Sequence, residues 1–195
     1  MNFDIANIIK GLIENENYID KIVGLVRSFI KKENGVTKIY PVGCELTDDE
    51  CEQMLFNLIP DKKYRTLIYF EDLGTVLIDR DGHGHTNWRS SLKLICWINT
   101  NKFEFTGCSI APLIIQNIVS LIPTGFFNSG NYQNVKIKVI GEDIKSNLIF
   151  SKYTYDEAVR QYLQYPYDYF ALNIQVEFRM HKSCVTALVP KENPC

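Results

Sequence analysis

Residues 170–181 read FALNIQVEFRMH. Phe170, Leu172, Ile174, Val176, Phe178 and Met180 fall on one side of an extended chain, and Ala171, Asn173, Gln175, Glu177, Arg179 and His181 on the other. A period of two held over roughly 12 residues predicts a strand about twice the usual length. One side suits a core; the other is wet or meets a polar surface. Working outward, Leu92, Leu94, Cys96 and Ile98 share one face of a second long strand near 87–98. Val135, Ile137 and Val139 alternate with Lys136 and Lys138, which predicts a third strand over 134–141. From Tyr64 the same period places Leu67 and Tyr69 against Thr66, Ile68 and Phe70. The reading puts a turn at Asp72-Leu73-Gly74, followed by Val76 and Ile78, and so a long hairpin near 65–98 that includes the Gly-rich loop from Asp81 to His85.

Helical spacing occupies the intervals. Ile5, Ile8, Ile9, Leu12, Ile19, Ile22, Val23, Val26, Phe29 and Ile30 recur every three or four residues, predicting a helix over 4–32, with Asn15 and Asn17 as a place to split it and Asn34-Gly35 as its end. A short strand, Thr37 to Tyr40, follows. The capping box Thr47-Asp48-Asp49-Glu50 predicts a helix over 48–58, and Thr154-Tyr155-Asp156-Glu157 predicts another reaching Leu163. Ser109 as cap and Pro112 in the first turn open an apolar helix over 110–122. The expected order is α–β–α–β–β–β–α–β–α–β. Hairpin connections make this an α+β fold with a mostly antiparallel or mixed sheet and helices packed on one face. One domain spans 1–182, with inserted segments at 47–59 and 142–166 and a loose tail at 183–195.

Composition narrows the function. The 195 residues are 46% hydrophobic and 23% charged, with net charge −2 and pI near 5.9. These values are globular and lack the basic excess of a dedicated nucleic-acid binder. The six cysteines, at 44, 51, 96, 108, 184 and 195, form no C-x-x-C pair, and reduced thiols are expected. The start of the chain has no signal-peptide pattern and no apolar run approaches a membrane span, so synthesis in the cytoplasm and no membrane contact are expected.

Candidate chemistry is sparse. From Asp79, a calcium loop would need an oxygen ligand at its fifth position and Glu at its twelfth; the chain has His83 and Ser90 there. Asp79, Asp81, His83 and His85 leave open a small metal-dependent enzyme, although two imidazoles are few. There is no nucleophile elbow, Walker loop or dinucleotide fingerprint. Asp48, Asp49, Glu50 and Glu52 fit helix-dipole pairing better than acid–base work. Lys136, Lys138 and Lys145 near Tyr132, Tyr153 and Tyr155 imitate a nucleic-acid surface, but lysines on a wet strand face are ordinary. The Tyr-rich stretch 162–170 reads equally as a partner surface, which would make the chain an adaptor, or as packing on its own sheet. Trp88 and Trp97 are open in the same way. No cofactor is implied.

In layout the chain resembles the head–tail joining and tail-terminator-like ring proteins of tailed phages. The likeness is carried by the amphipathic N-terminal segment, the strand KIYPV at 38–42, the strand LKLICWI at 92–98, the helix IAPLIIQNIVSLI at 110–122, and the closing strands KIKVI at 136–140 and ALNIQVEFRM at 171–180. The Asn- and Ile-rich composition is also similar to that of gut-phage proteins of the crAss-like group. The resemblance implies a tail-terminator-like fold and a non-enzymatic virion subunit. Copies would form a homo-oligomeric ring at the head–tail junction or in the tail, contacting portal, connector or tail proteins and framing a channel through which genomic DNA passes without sequence-specific binding. It also implies subunit contacts through the hairpin and the Tyr-rich segment, at Asp79, Arg80, Asp81, His83, His85, Trp88, Arg89, Tyr165, Tyr167 and Tyr169.

Overall fold

The structure is a computed structural model that describes residues 1–33, 35–46, 53–81, 83–104, 107, 109–146, 148–155 and 160–181. Among the described residues two α-helices, α1 (Asn2–Ile13) and α2 (Ala111–Leu121), accompany nine strands. These are β1 (Lys21–Leu25), β2 (Arg27–Glu33), β3 (Val36–Leu46), β4 (Gln53–Asn57), β5 (Thr66–Arg80), β6 (His85–Asn99), β7 (Phe127–Ser129), β8 (Tyr132–Ile144) and β9 (Tyr167–His181). A six-stranded sheet runs β1-β5-β6-β9-β8-β7 and a three-stranded sheet runs β2-β3-β4. The large sheet is mixed: β1 lies parallel to β5, and β5, β6, β9 and β8 alternate antiparallel. The fold is α+β.

The 170–181 pattern does what it predicts. Phe170, Leu172, Ile174, Val176 and Phe178 join Leu92, Leu94, Cys96 and Ile98 in one core, under Ile5, Ile9 and Ile13 of α1 and Ile114, Ile115 and Ile118 of α2. Both helices therefore belong to one face. Each fully buried aliphatic side chain contributes about 1.5–3 kcal/mol there. Cys96 is a free thiol in this core, and burial pushes its ionisation well up. The opposite face carries a second, smaller cluster. Leu67, Tyr69, Ile95, Trp97, Tyr169 and Ala171 are covered by Ile149, Phe150, Tyr153 and Tyr155, with Val23, Tyr40 and Leu58 alongside. That cover reaches only the half of the sheet near the start of β9.

Several expectations are corrected. The helix predicted over 4–32 stops at Ile13, and 21–25 and 27–33 are strands. Ile22, Val23 and Val26 are β-branched and fit either period; tertiary pairing of β1 with β5 decides. A Cβ at Gly24 would sit 2.4 Å from Asn7 Oδ1 of α1, so a larger residue there would require that amide to turn aside. The strand expected at 37–40 runs from Val36 to Leu46. In the helix predicted over 48–58, residues 47–52 lie outside the described residues, and Gln53–Asn57 is a strand paired to Val42–Leu46. Asp72-Leu73-Gly74 is a bulge inside a continuous β5, with Gly74 at φ +108°, and the hairpin turns at 81–85 instead. Ser109 does not cap α2; Ile110 occupies that position, and the Ser109 hydroxyl donates to Asp168. Residues 156–159 of the predicted second capping-box helix lie outside the described residues, and Gln161–Leu163 is one turn of 3-10 helix. The tail at 183–195 also lies outside them.

Candidate functional site: the hairpin tip and the open sheet edges

β5 and β6 pair from Thr66 opposite Ile98 out to Arg80 opposite Thr86. β1 flanks β5 only along Leu67–Phe70, so among the described residues nothing pairs with the outer side of β5 from Glu71 onward. Leu73, Val76 and Ile78 are exposed on this stretch, Val76 at 65%. β7 covers β8 only from Tyr132 to Val135. The outer side of β8 from Lys136 to Ile144 is equally without a described partner, and Ile140 there is 59% exposed.

The tip is braced from within. Asp81 takes the backbone N–H of His83 at 3.0 Å and of His85 at 2.8 Å, and the Arg179 guanidinium of β9 donates to its other oxygen. These bonds, the His85 N–H first, hold the carboxyl well below the usual carboxylate range. His85 Nδ1 lies 3.1 Å from Asp81 but is not aligned for a hydrogen bond, and its ring tilts against His181 with centroids 4.5 Å apart. Asn87 donates to Asp79. The guanidinium of Arg89 reaches Glu177 at 2.9 Å, and Trp88 Nε1 donates to Thr86 at 2.8 Å. Arg80 and His83 are exposed.

Asp79, Arg80, Asp81, His83, His85, Trp88 and Arg89 thus share one end of the sheet. The tyrosines do not join them. Tyr167 pairs with Asn99 while His181 pairs with His85, so the Tyr-rich segment stands at the far end of the strands, about 45 Å away at strand rise. Tyr169 is buried edge-on to Phe150, and Tyr167 stacks on Trp97 at 5.2 Å. Only Tyr165, 91% exposed, is offered to solvent. Most of this segment is self-packing. Trp97 is core, with its Nε1 donating to Tyr162 O at 2.6 Å.

The other candidate chemistries find their groups engaged. The Asp81 carboxylate is spent on backbone donors and a guanidinium, which competes with any cation, and no three His, Cys, Asp or Glu side chains converge among the described residues. Lys145 lies 3.5 Å from Asp168 and Lys136 lies over the Phe126 ring, while Tyr153 and Tyr155 are buried. Tyr153 donates to buried Glu71, which Lys152 also meets at 2.6 Å; burial and Glu71 push the Tyr153 phenol far up, so it stays a donor.

The exposed apolar residues of the two edges were not singled out from sequence. Val76 and Ile78 read as the return strand of a hairpin turning at Asp72, which hid that β5 continues past its neighbour. Among the described residues no helix is long and apolar enough to cross a membrane. No protein-family model matches the chain, and no curated protein matches it.

Proposed function

We propose that the chain is a structural subunit that assembles with copies of itself into a ring of the head–tail connector or tail of a tailed phage. In this reading it is made in the host cytoplasm, performs no catalysis, and frames a channel for DNA between portal and tail proteins. The observation that carries it is the outer edge of β5 beyond Phe70, which no strand among the described residues covers. It extends past its flanking strand, presents Leu73, Val76 and Ile78 to solvent, and ends in a tip held rigid by Asp81 and Arg179. An exposed apolar strand edge is an aggregation hazard unless a specific partner covers it. A net charge of −2 supports the conduit role, since a channel that releases DNA should not grip phosphates.

Electron microscopy and mass photometry of the purified protein test this. Closed rings of one size are expected. A chain that stays monomeric at every concentration, and is absent from virions, would overturn the reading.

A further inference from the structure

We infer that the contact between copies is head-to-tail, with the outer edge of β8 of one copy pairing antiparallel with the outer edge of β5 of the next. This rests on the self-assembly reading above and specifies its interface. Three observations support it. Among the described residues the large sheet has two open edges, at 71–80 and 136–144, on opposite sides. Its inner strands alternate in direction from β5 to β8, so β8 is antiparallel to β5. A copy carried round a ring keeps that orientation, and its β8 would meet β5 in the sense that continues the alternation. Between bulges, β5 is regular over Gly74–Leu77 and β8 over Lys136–Val139 and Gly141–Ile144, so the free ladders match in length.

Side chains agree with this pairing. Running β8 against β5 brings Lys136 and Lys138 toward the Asp79 end, where opposite charges favour one register. Exposed Leu73 and Val76 would lie beside exposed Ile140. Main-chain bonds supply the affinity and the alternating side chains the selectivity.

Two edge-blocking substitutions test it, Val76→Lys on β5 and Ile140→Lys on β8, both at exposed sites. Each variant alone should be monomeric, because each lacks one of the two complementary edges. Mixed in equal amounts they should give 1:1 dimers and nothing larger, joined through the two intact edges. In the otherwise unaltered chain, a benzophenone side chain at position 76 should cross-link to residues 136–144 of another copy, which keeps the test independent of how the lysine variants fold. Wild-type rings with either variant still assembling, with the mixture staying monomeric, or with cross-links from 76 to β5 or elsewhere would overturn the pairing and leave the ring. A wild-type chain that never assembles would overturn both.

Discussion

Asp81 is the residue on which the tip turns. Its acid form cannot accept charge-assisted bonds from two backbone N–H groups and Arg179 as well as its carboxylate does. Because its folded value lies below the unfolded one, near 3.9, its contribution is complete above that value and is lost as pH falls through the lower folded value. The Asp81 carboxyl-carbon resonance and the His83 and His85 amides should therefore share a titration step whose midpoint lies below the ordinary carboxylate value of about 3.9. A shared midpoint at or above the ordinary carboxylate value would remove the brace. A second polar knot sits under α1. Asn2 donates to Asp72 and accepts from Thr75 and Ser90, where Ser90 is fully buried. Asn2→Ala leaves the Thr75 and Ser90 hydroxyls only each other, 3.1 Å apart, with one donor unmet, and should cost about 1–3 kcal/mol in urea unfolding. A cost near zero would mean that water replaces the amide. Neither knot was legible in the sequence. The Asp-Gly-His-Gly-His stretch signalled a loop, but Arg179 is 98 positions from Asp81 and only the β6–β9 register brings them together.

At the scale of elements, legibility follows how much each segment depends on distant neighbours. The strands at 87–98, 134–141 and 170–181 and the helix at 110–122 were all readable, because their periodicity is long and agrees with their burial. Residues 21–33 were not. Their apolar spacing suits a helix as well as a strand; β5, the partner that selects β1, begins more than 40 residues after it, and 27–33 is held as a strand by β3 of the other sheet. The same holds for 53–57, where pairing with β3 overrides the three- and four-residue spacing of Met54, Leu55 and Leu58. The edges could not be read at all, since an edge is defined by which strand is missing beside it. The second face shows the converse. Trp97 was undecided between surface and core, and its fixed stacking on Tyr167 with a bond to Tyr162 O makes it the anchor of the 160–167 segment. Trp97→Ala should cost about 3–5 kcal/mol in chemical denaturation. Loss of less than about 1 kcal/mol would show that the segment adheres without it.

For the molecule as a whole, the buried core and the proposed assembly surface lie largely at different ends of the same strands. The two hydrophobic clusters lie under α1 and α2 and under residues 148–155, whereas the outer end of the β5–β6 ribbon contributes exposed side chains and a polar brace shared with Arg179 of β9. Stability should then be nearly indifferent to the tip while assembly depends on it. Deleting residues 82–85 removes the turn and the two backbone donors to Asp81, leaving Arg179, and none of the fully buried core side chains. Across a chain of this size about 1 kcal/mol moves the melting temperature by roughly 2–4 °C, and the deletion should stay within that shift in a calorimetric scan. The same protein should fail to form rings by mass photometry at concentrations where wild type is fully assembled. A collapse of the melt would mean that the tip nucleates the ribbon and that its loss cannot be read as an interface effect. Intact rings from the shortened chain would confine the contact to the edges nearer the core, at Leu73, Val76 and β8, and would take Asp79, Arg80, His83 and His85 out of the interface.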